Sequence, residues 1–170
     1  HGSRVVSSVA PADAVARWSD FLPGAFFAAA KSLFDQLASV VLIRGLYRTE
    51  DFFDGRFRNP YVAHAVGMGL VGLTMYGFFL WLGEYSIEGV GYATITDVLR
   101  GVLTNPWILL ALAGGKWLAT TLTLGSGASG GIFSPSLFIG ATLGAALGQG
   151  LAAVGLPVDP AMFALAGMAA

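Results

Sequence analysis

With 170 residues the chain is long enough for one ordinary domain, yet 55% of it is hydrophobic, only 11% is charged and its mean hydropathy is +0.71. An average soluble protein carries about 25% charge, so this balance excludes disorder and makes a membrane the default surroundings. A net charge of −1 gives no general attraction to nucleic acid, and the absence of cysteine removes disulfide scaffolds, thiol catalysis and thiolate-bound zinc.

The chain begins with His1 and closes inside an apolar run, Met162 to Ala170, too short to cross a bilayer. It therefore reads as a piece of a longer polypeptide, and no secretory signal is visible after Arg4. Thirteen of the 19 charges precede position 59. The remaining six leave charge-free stretches of 25, 15 and 42 residues, at Asn59–Gly83, Gly101–Gly115 and Trp117–Val158. The first can span once, and the last can hold more than one apolar segment.

Residues 1–22 are weakly patterned and stand apart from a membrane domain over 23–170 that is cut short at its C-terminus. Pro23 suits a first helical turn, and a helix is expected over Ala25–Tyr47. Lys31 and Asp35 share one face of it, either as a partnered ion pair facing protein or interface, or as part of an ion pathway. The segment 44–60 reads as a loop in which Arg44, Arg48, Arg56 and Arg58 meet three acids. Lysine and arginine set orientation while acids count little, so this loop is expected on the cytoplasmic side.

Asn59-Pro60 opens the cleanest spanning helix, Tyr61–Gly83. Gly67, Gly69, Gly72 and Gly77 are positioned for close helix contact. Tyr61, Tyr76 and Trp81 fall near the ends, where interfacial aromatics belong. His64 reads as a hydrogen-bonded interfacial group, because no other ligand stands at metal-binding spacing. Residues 84–105 are too polar to span and suggest a loop followed by a short helix. Asn105-Pro106 then starts a helix from Trp107 to about Leu124. Lys116 lies within it and needs to snorkel from near an end, or at mid-helix to find a partner or a wet cavity.

The most informative stretch is 125–150, where eight of 26 residues are glycine. Gly140, Gly144 and Gly148 recur every four residues and form a packing face on a helix. The preceding Gly125–Pro135 should not make a stable helix interior, and irregular backbone at membrane depth survives only where protein or a cavity satisfies it. Pro135 fits the first turn of the next helix. The amides of Gly131, Ile132, Phe133 and Ser134 would then lie at or just before a helix N-terminus. There they lack intrahelical acceptors, and the helix dipole favours an anion. On chemistry alone, an anion site and a glycine loop packed between helices remain alternatives.

Gly125-Ser-Gly-Ala-Ser-Gly-Gly-Ile-Phe-Ser-Pro135, with its glycine-faced helix, resembles the Gly-x-Phe-x-Pro signature of CLC-type voltage-gated chloride channels and chloride/proton antiporters. Leu46–Asp54 resembles the end of that family's tenth helix, Gly89–Ile95 the stretch before its short twelfth helix, and Met162–Ala170 the helix after the signature. The likeness runs over about residues 25–170. It implies an all-α integral membrane fold of tilted and broken transmembrane helices. This chain would be about half of it, most of the second of two inverted repeats. It further implies chloride as the transported ligand, protons as a partner in antiporters, a homodimer, and a multi-pass protein of the plasma membrane, with no cofactor, metal or catalytic residue. The amides of Ile132 and Phe133 map onto donors to the central chloride, neighbouring amides, including that of Ser134, map toward the outer site, and the Gly131 amide is counted among the chloride-binding donors. The gating glutamate, the proton glutamate and the late tyrosine of the family fall outside this chain.

Two rivals are distinct in class. Gly127-Ala-Ser-Gly130 looks like the nucleophile loop of rhomboid-type intramembrane serine proteases, with Ser129 as nucleophile. Against it, His64 precedes the serine, whereas that family places its base on a later helix. The other rival is a non-transporting membrane subunit whose glycine face serves assembly.

Overall fold

The computed structural model describes residues 24–83, 87–155 and 158–169, with side chains described from Gln36 onward except at 37 and 38. Lys31 and Asp35 thus lie outside the described side chains, and residues 1–22 outside the described chain. Among the described residues six helices follow in order: α1 (Gly24–Arg56), α2 (Pro60–Leu82), α3 (Tyr92–Leu99), α4 (Pro106–Gly125), α5 (Phe133–Ala153) and α6 (Pro160–Met168). No strand occurs among the described residues. Three helices, α2, α4 and α5, are long and apolar enough to cross a membrane.

Three helix starts use one device. Asn59, Asn105 and Asp159 each accept a hydrogen bond at a side-chain oxygen from the amide two residues on, at 3.0, 3.0 and 2.9 Å. A proline follows each of them, at a position where its missing N–H costs nothing.

The polar segment 44–60 does not form the expected loop. Helix α1 continues through it to Arg56, leaving only residues 57–59 as connection. Charge pattern suggested a loop, but tertiary contacts hold the helix. Phe53 is completely buried and lines one cavity with Leu124 and Gly125 of α4, while its ring packs locally, edge-on to Phe52 and stacked on Phe57, at 5.5 and 5.8 Å. Gly45 admits the ring of Trp117, whose indole N–H donates to the Val41 carbonyl at 3.2 Å. At the far end of α4, a Cβ on Gly125 would crowd Thr49 at 2.7 Å.

Close packing in lipid gains little from apolar burial, because lipid tails are as apolar as leucine. Backbone approach at small residues takes over. α5 and α6 run antiparallel on this principle. A Cβ on Gly140 would overlap the Gly167 carbonyl, one on Gly144 the Phe163 carbonyl, and one on Gly148 would lie 2.7 Å from Pro160 Cα. With nine residues α6 is about 14 Å long, under half of a bilayer's hydrocarbon core.

On α2 only Gly67 has such a role, against Ser126. A Cβ on Gly69, Gly72 or Gly77 would meet nothing within 4 Å. Much of α2 presents large apolar side chains outward, including Leu73, Leu80 and Trp81. The buried centre lies instead between α3, α4 and α5. Ile87, Ile95, Leu112, Phe138 and Ala141 form one cluster there, and Val98, Leu109, Ala145, Ala146 and Ala164 extend it toward α6.

Candidate anion site at an uncapped helix start

Helix α4 ends at the glycine-rich stretch in a Schellman arrangement. The Gly127 amide donates to the Leu124 carbonyl at 3.0 Å and the Ala128 amide to the Thr123 carbonyl at 3.1 Å. Gly127 holds φ at +82°, a conformation costly for a residue with a Cβ. The chain is irregular from there until α5 begins at Phe133, two residues before Pro135.

This start differs from those of α2, α4 and α6 and, like that of α3, where the N-cap is Gly91, lacks a side-chain cap. Its N-cap is Ile132, which has no side-chain oxygen to offer, and the first helical hydrogen bond runs from the Ser136 amide to the Ile132 carbonyl at 3.0 Å. The four amides ahead of that bond belong to positions 132–135. Pro135 has none, so the donors of Ile132, Phe133 and Ser134 remain, with Gly131 just before. Among the described residues none of these four amides donates to a protein carbonyl or side chain. Gly131, Ile132 and Phe133 are exposed. Ser134 is half-buried, and its hydroxyl donates to the Val90 carbonyl at 3.1 Å. The end thus presents main-chain donors and the positive end of a 21-residue helix without a competing acceptor, an arrangement that can hold a small anion.

Gly140, Gly144 and Gly148 lie on the α6 side of the same helix and anchor it from behind. On the opposite side, a cavity of about 210 Å³ is lined by Met75, Lys116, Thr123, Gly130, Gly131 and Pro135, among others. Lys116 is eleventh of the 20 residues of α4, too central to snorkel, and is 4% exposed. Its ammonium donates to the Ile87 carbonyl at 2.9 Å and to the Gly89 carbonyl, and stands 5.3 Å from the centre of the Phe138 ring. The partner the sequence demanded is main chain, which leaves no residue-type signal. The only hint is the pair Gly89 and Gly91, whose φ values of +53° and +74° let the backbone turn toward the lysine.

Ser129 is exposed in the loop and has no hydrogen bond to a histidine among the described residues, while His64 is exposed on α2. No group of three or more His, Cys, Asp or Glu that could hold a metal occurs among the described residues.

The model of the voltage gated chloride channel family matches residues 12–170. The chain is 32% identical over 164 residues to the H(+)/Cl(-) exchange transporter ClcA of Vibrio vulnificus, covering 94% of this chain and 32% of that protein. It is 31% identical over 141 residues to chloride channel protein CLC-f of Arabidopsis thaliana, covering 76% and 17%. A putative chloride channel protein, ClcB-like, of Ralstonia nicotianae is 35% identical over 121 residues, covering 68% and 27%. The chain thus spans a third or less of the length of these relatives. No solved structure gives a significant match.

Proposed function

The chain belongs to the voltage-gated chloride channel family, and from that premise we propose that it forms an anion-binding portion of a chloride-transporting membrane protein. The observation that carries the reading is the α5 start, where the amides of Ile132, Phe133 and Ser134 are free of protein acceptors on a helix whose N-cap supplies none. Chloride is held there by N–H groups and the helix dipole, with no cationic side chain in direct contact. Partial charges suit transport, because a site must bind well enough to fill and weakly enough to empty. The Gly131 amide precedes the two central donors and that of the half-buried Ser134 follows them, and Ser134 guides the ion toward the neighbouring position. Pro135 contributes by carrying no amide, so the donor set stops at Ser134.

This chain supplies one portion of a longer polypeptide, whose other helices complete the pore, and two such polypeptides pair as a homodimer in the plasma membrane. The basic end of α1 and residues 57–60 face the cytoplasm. No covalent step occurs on the protein, so the activity is transport and not catalysis. Relatives are named both as a channel and as proton/chloride exchangers, and this portion serves either mode.

The test is chloride efflux from loaded liposomes containing the full-length polypeptide that carries this chain, with external pH followed at the same time. Efflux is expected. Opposing proton movement with it identifies an exchanger, and its absence a channel. No efflux of any anion, from protein shown to be folded and inserted, overturns the reading and leaves the α5 start as packing.

A further inference from the structure

The proposed anion site leaves a buried charge unexplained. Lys116 sits at the middle of α4, contacts no carboxylate among the described residues, and is spent wholly on main chain. Desolvating an ammonium is expensive unless hydrogen bonds replace the lost water. Unpaired carbonyls at membrane depth are expensive for the same reason. Each therefore satisfies the other: residues 87–91 form an irregular turn, and the ammonium takes two of its carbonyls, at Ile87 and Gly89.

The same turn touches α5 at two further points. The Val90 carbonyl accepts from the Ser134 hydroxyl at 3.1 Å. Gly91 lies close against the Phe138 ring, which a Cβ there would overlap. Successive carbonyls of one turn thus point in two directions, those of Ile87 and Gly89 to α4 and that of Val90 to the first turn of α5. Phe138 is completely buried and also stands beneath the ammonium. Turn, lysine and helix start are one connected unit along the cavity that Lys116 shares with Gly131 and Pro135.

We infer that Lys116 is a positioning residue for the anion site, acting through the 87–91 turn and Ser134 to fix the direction of the α5 amides. The inference rests on the proposed chloride site at the α5 start. Loss of the ammonium frees the turn, the Val90–Ser134 hydrogen bond loses its fixed acceptor, and the Ser134 and Phe133 amides no longer converge on one point.

The experiment is a double-substitution cycle on the full-length polypeptide in detergent, with chloride affinity measured by calorimetry. Lys116→Met is expected to raise the chloride dissociation constant about tenfold, the worth of one hydrogen bond to a charged group. Ser134→Ala keeps its amide but releases the turn, and is expected to raise the constant severalfold. The pair together is expected to do no more than Lys116→Met alone, because both cut the same connection. Lys116→Arg, which keeps the charge and the donors, is expected to restore affinity to within about twofold, whereas a purely structural role would track melting temperature in every variant.

Multiplying effects of Lys116→Met and Ser134→Ala overturn the inference, since they mean a charge acting on chloride through space. Unchanged affinity in folded Lys116→Met overturns it too. Where Lys116→Met does not fold, Gly89→Ala carries the test. Its +53° φ strains an alanine in a space with no neighbour within 4 Å, so the turn alone is disturbed. Raised dissociation constants support the inference, and an unchanged one overturns it. A parent protein that binds no chloride at all defeats the proposed function itself, a result separable from the others.

Discussion

The starts of α4 and α5 lie on successive helices of similar length, 20 and 21 residues, yet are finished in opposite ways. At α4, Asn105 turns its side-chain oxygen onto the Trp107 amide and Pro106 fills the first helical position. At α5, the cap position holds Ile132 and the proline stands third. The α4 start closes itself, and so do those of α2 and α6. The α5 start keeps three donors open and removes the fourth. A cap contributes about 1 kcal/mol of stability. Among the described starts α3, at Gly91, also lacks a side-chain cap, but α5 alone of the three membrane-length helices does, and its place beside a cavity and a buried lysine is what the proposed chloride site rests on.

The strongest way to break the contrast is to give α5 the acceptor that the others have. Ile132→Asp places a carboxylate where the proposed chloride binds. Two unit charges about 4 Å apart repel by about 4 kcal/mol at an effective dielectric constant near 20. Chloride affinity is therefore expected to fall roughly a thousandfold, while the cap itself stabilises the folded protein by up to about 1 kcal/mol. Calorimetric titration and a thermal melt check the two halves. Retained affinity means that chloride does not sit at this helix end. A gentler change is Phe133→Pro, which removes one donor at the first helical position, where proline is tolerated. The expected loss is about 2 kcal/mol, or roughly thirtyfold. Ile132 is then the residue before a proline and must leave its φ of −91° and ψ of −20° or bear strain. Helix content by circular dichroism must accordingly match the parent before the affinity is compared.

The sequence made α5 legible because its signals are local. Glycines at a spacing of four and a proline in the first turn are both present within residues 131–148. The Asx-Pro pairs at 59–60 and 105–106 located the two capped starts for the same reason. Three features were hidden because they depend on distant chain. The helical run of 44–56 rests on Phe53 being buried and on Trp117 entering beside Gly45, and no local charge pattern encodes either. Gly69, Gly72 and Gly77 looked equivalent to Gly67, but only Gly67 meets another element, at Ser126. Lys116 announced that it needed a partner without identifying it. Main-chain carbonyls bind a lysine irrespective of the side chains that carry them, so the link to Ile87 and Gly89 exists only in three dimensions.

The smallest expected effect sharpens the contrast from the opposite side. Asn105→Ala deletes the cap of α4 and leaves the Trp107 amide without its 3.0 Å partner. A lost asparagine cap costs about 1 kcal/mol. It should appear as a slightly lower melting temperature of the full-length polypeptide in detergent. Chloride affinity should stay within about twofold, because α4's far end, not its start, leads into the loop before α5. Pro106, like Pro135, removes one of the four amides ahead of the first helical bond, so the uncapped α4 start would offer the same number of donors as α5. If Asn105→Ala were to create a second chloride site, any uncapped start in this fold would bind the ion, and the distinction of α5 would reduce to the missing side chain. If it does not, the cavity, the Lys116-held turn and the glycine anchoring against α6 are what turn an uncapped helix into a site.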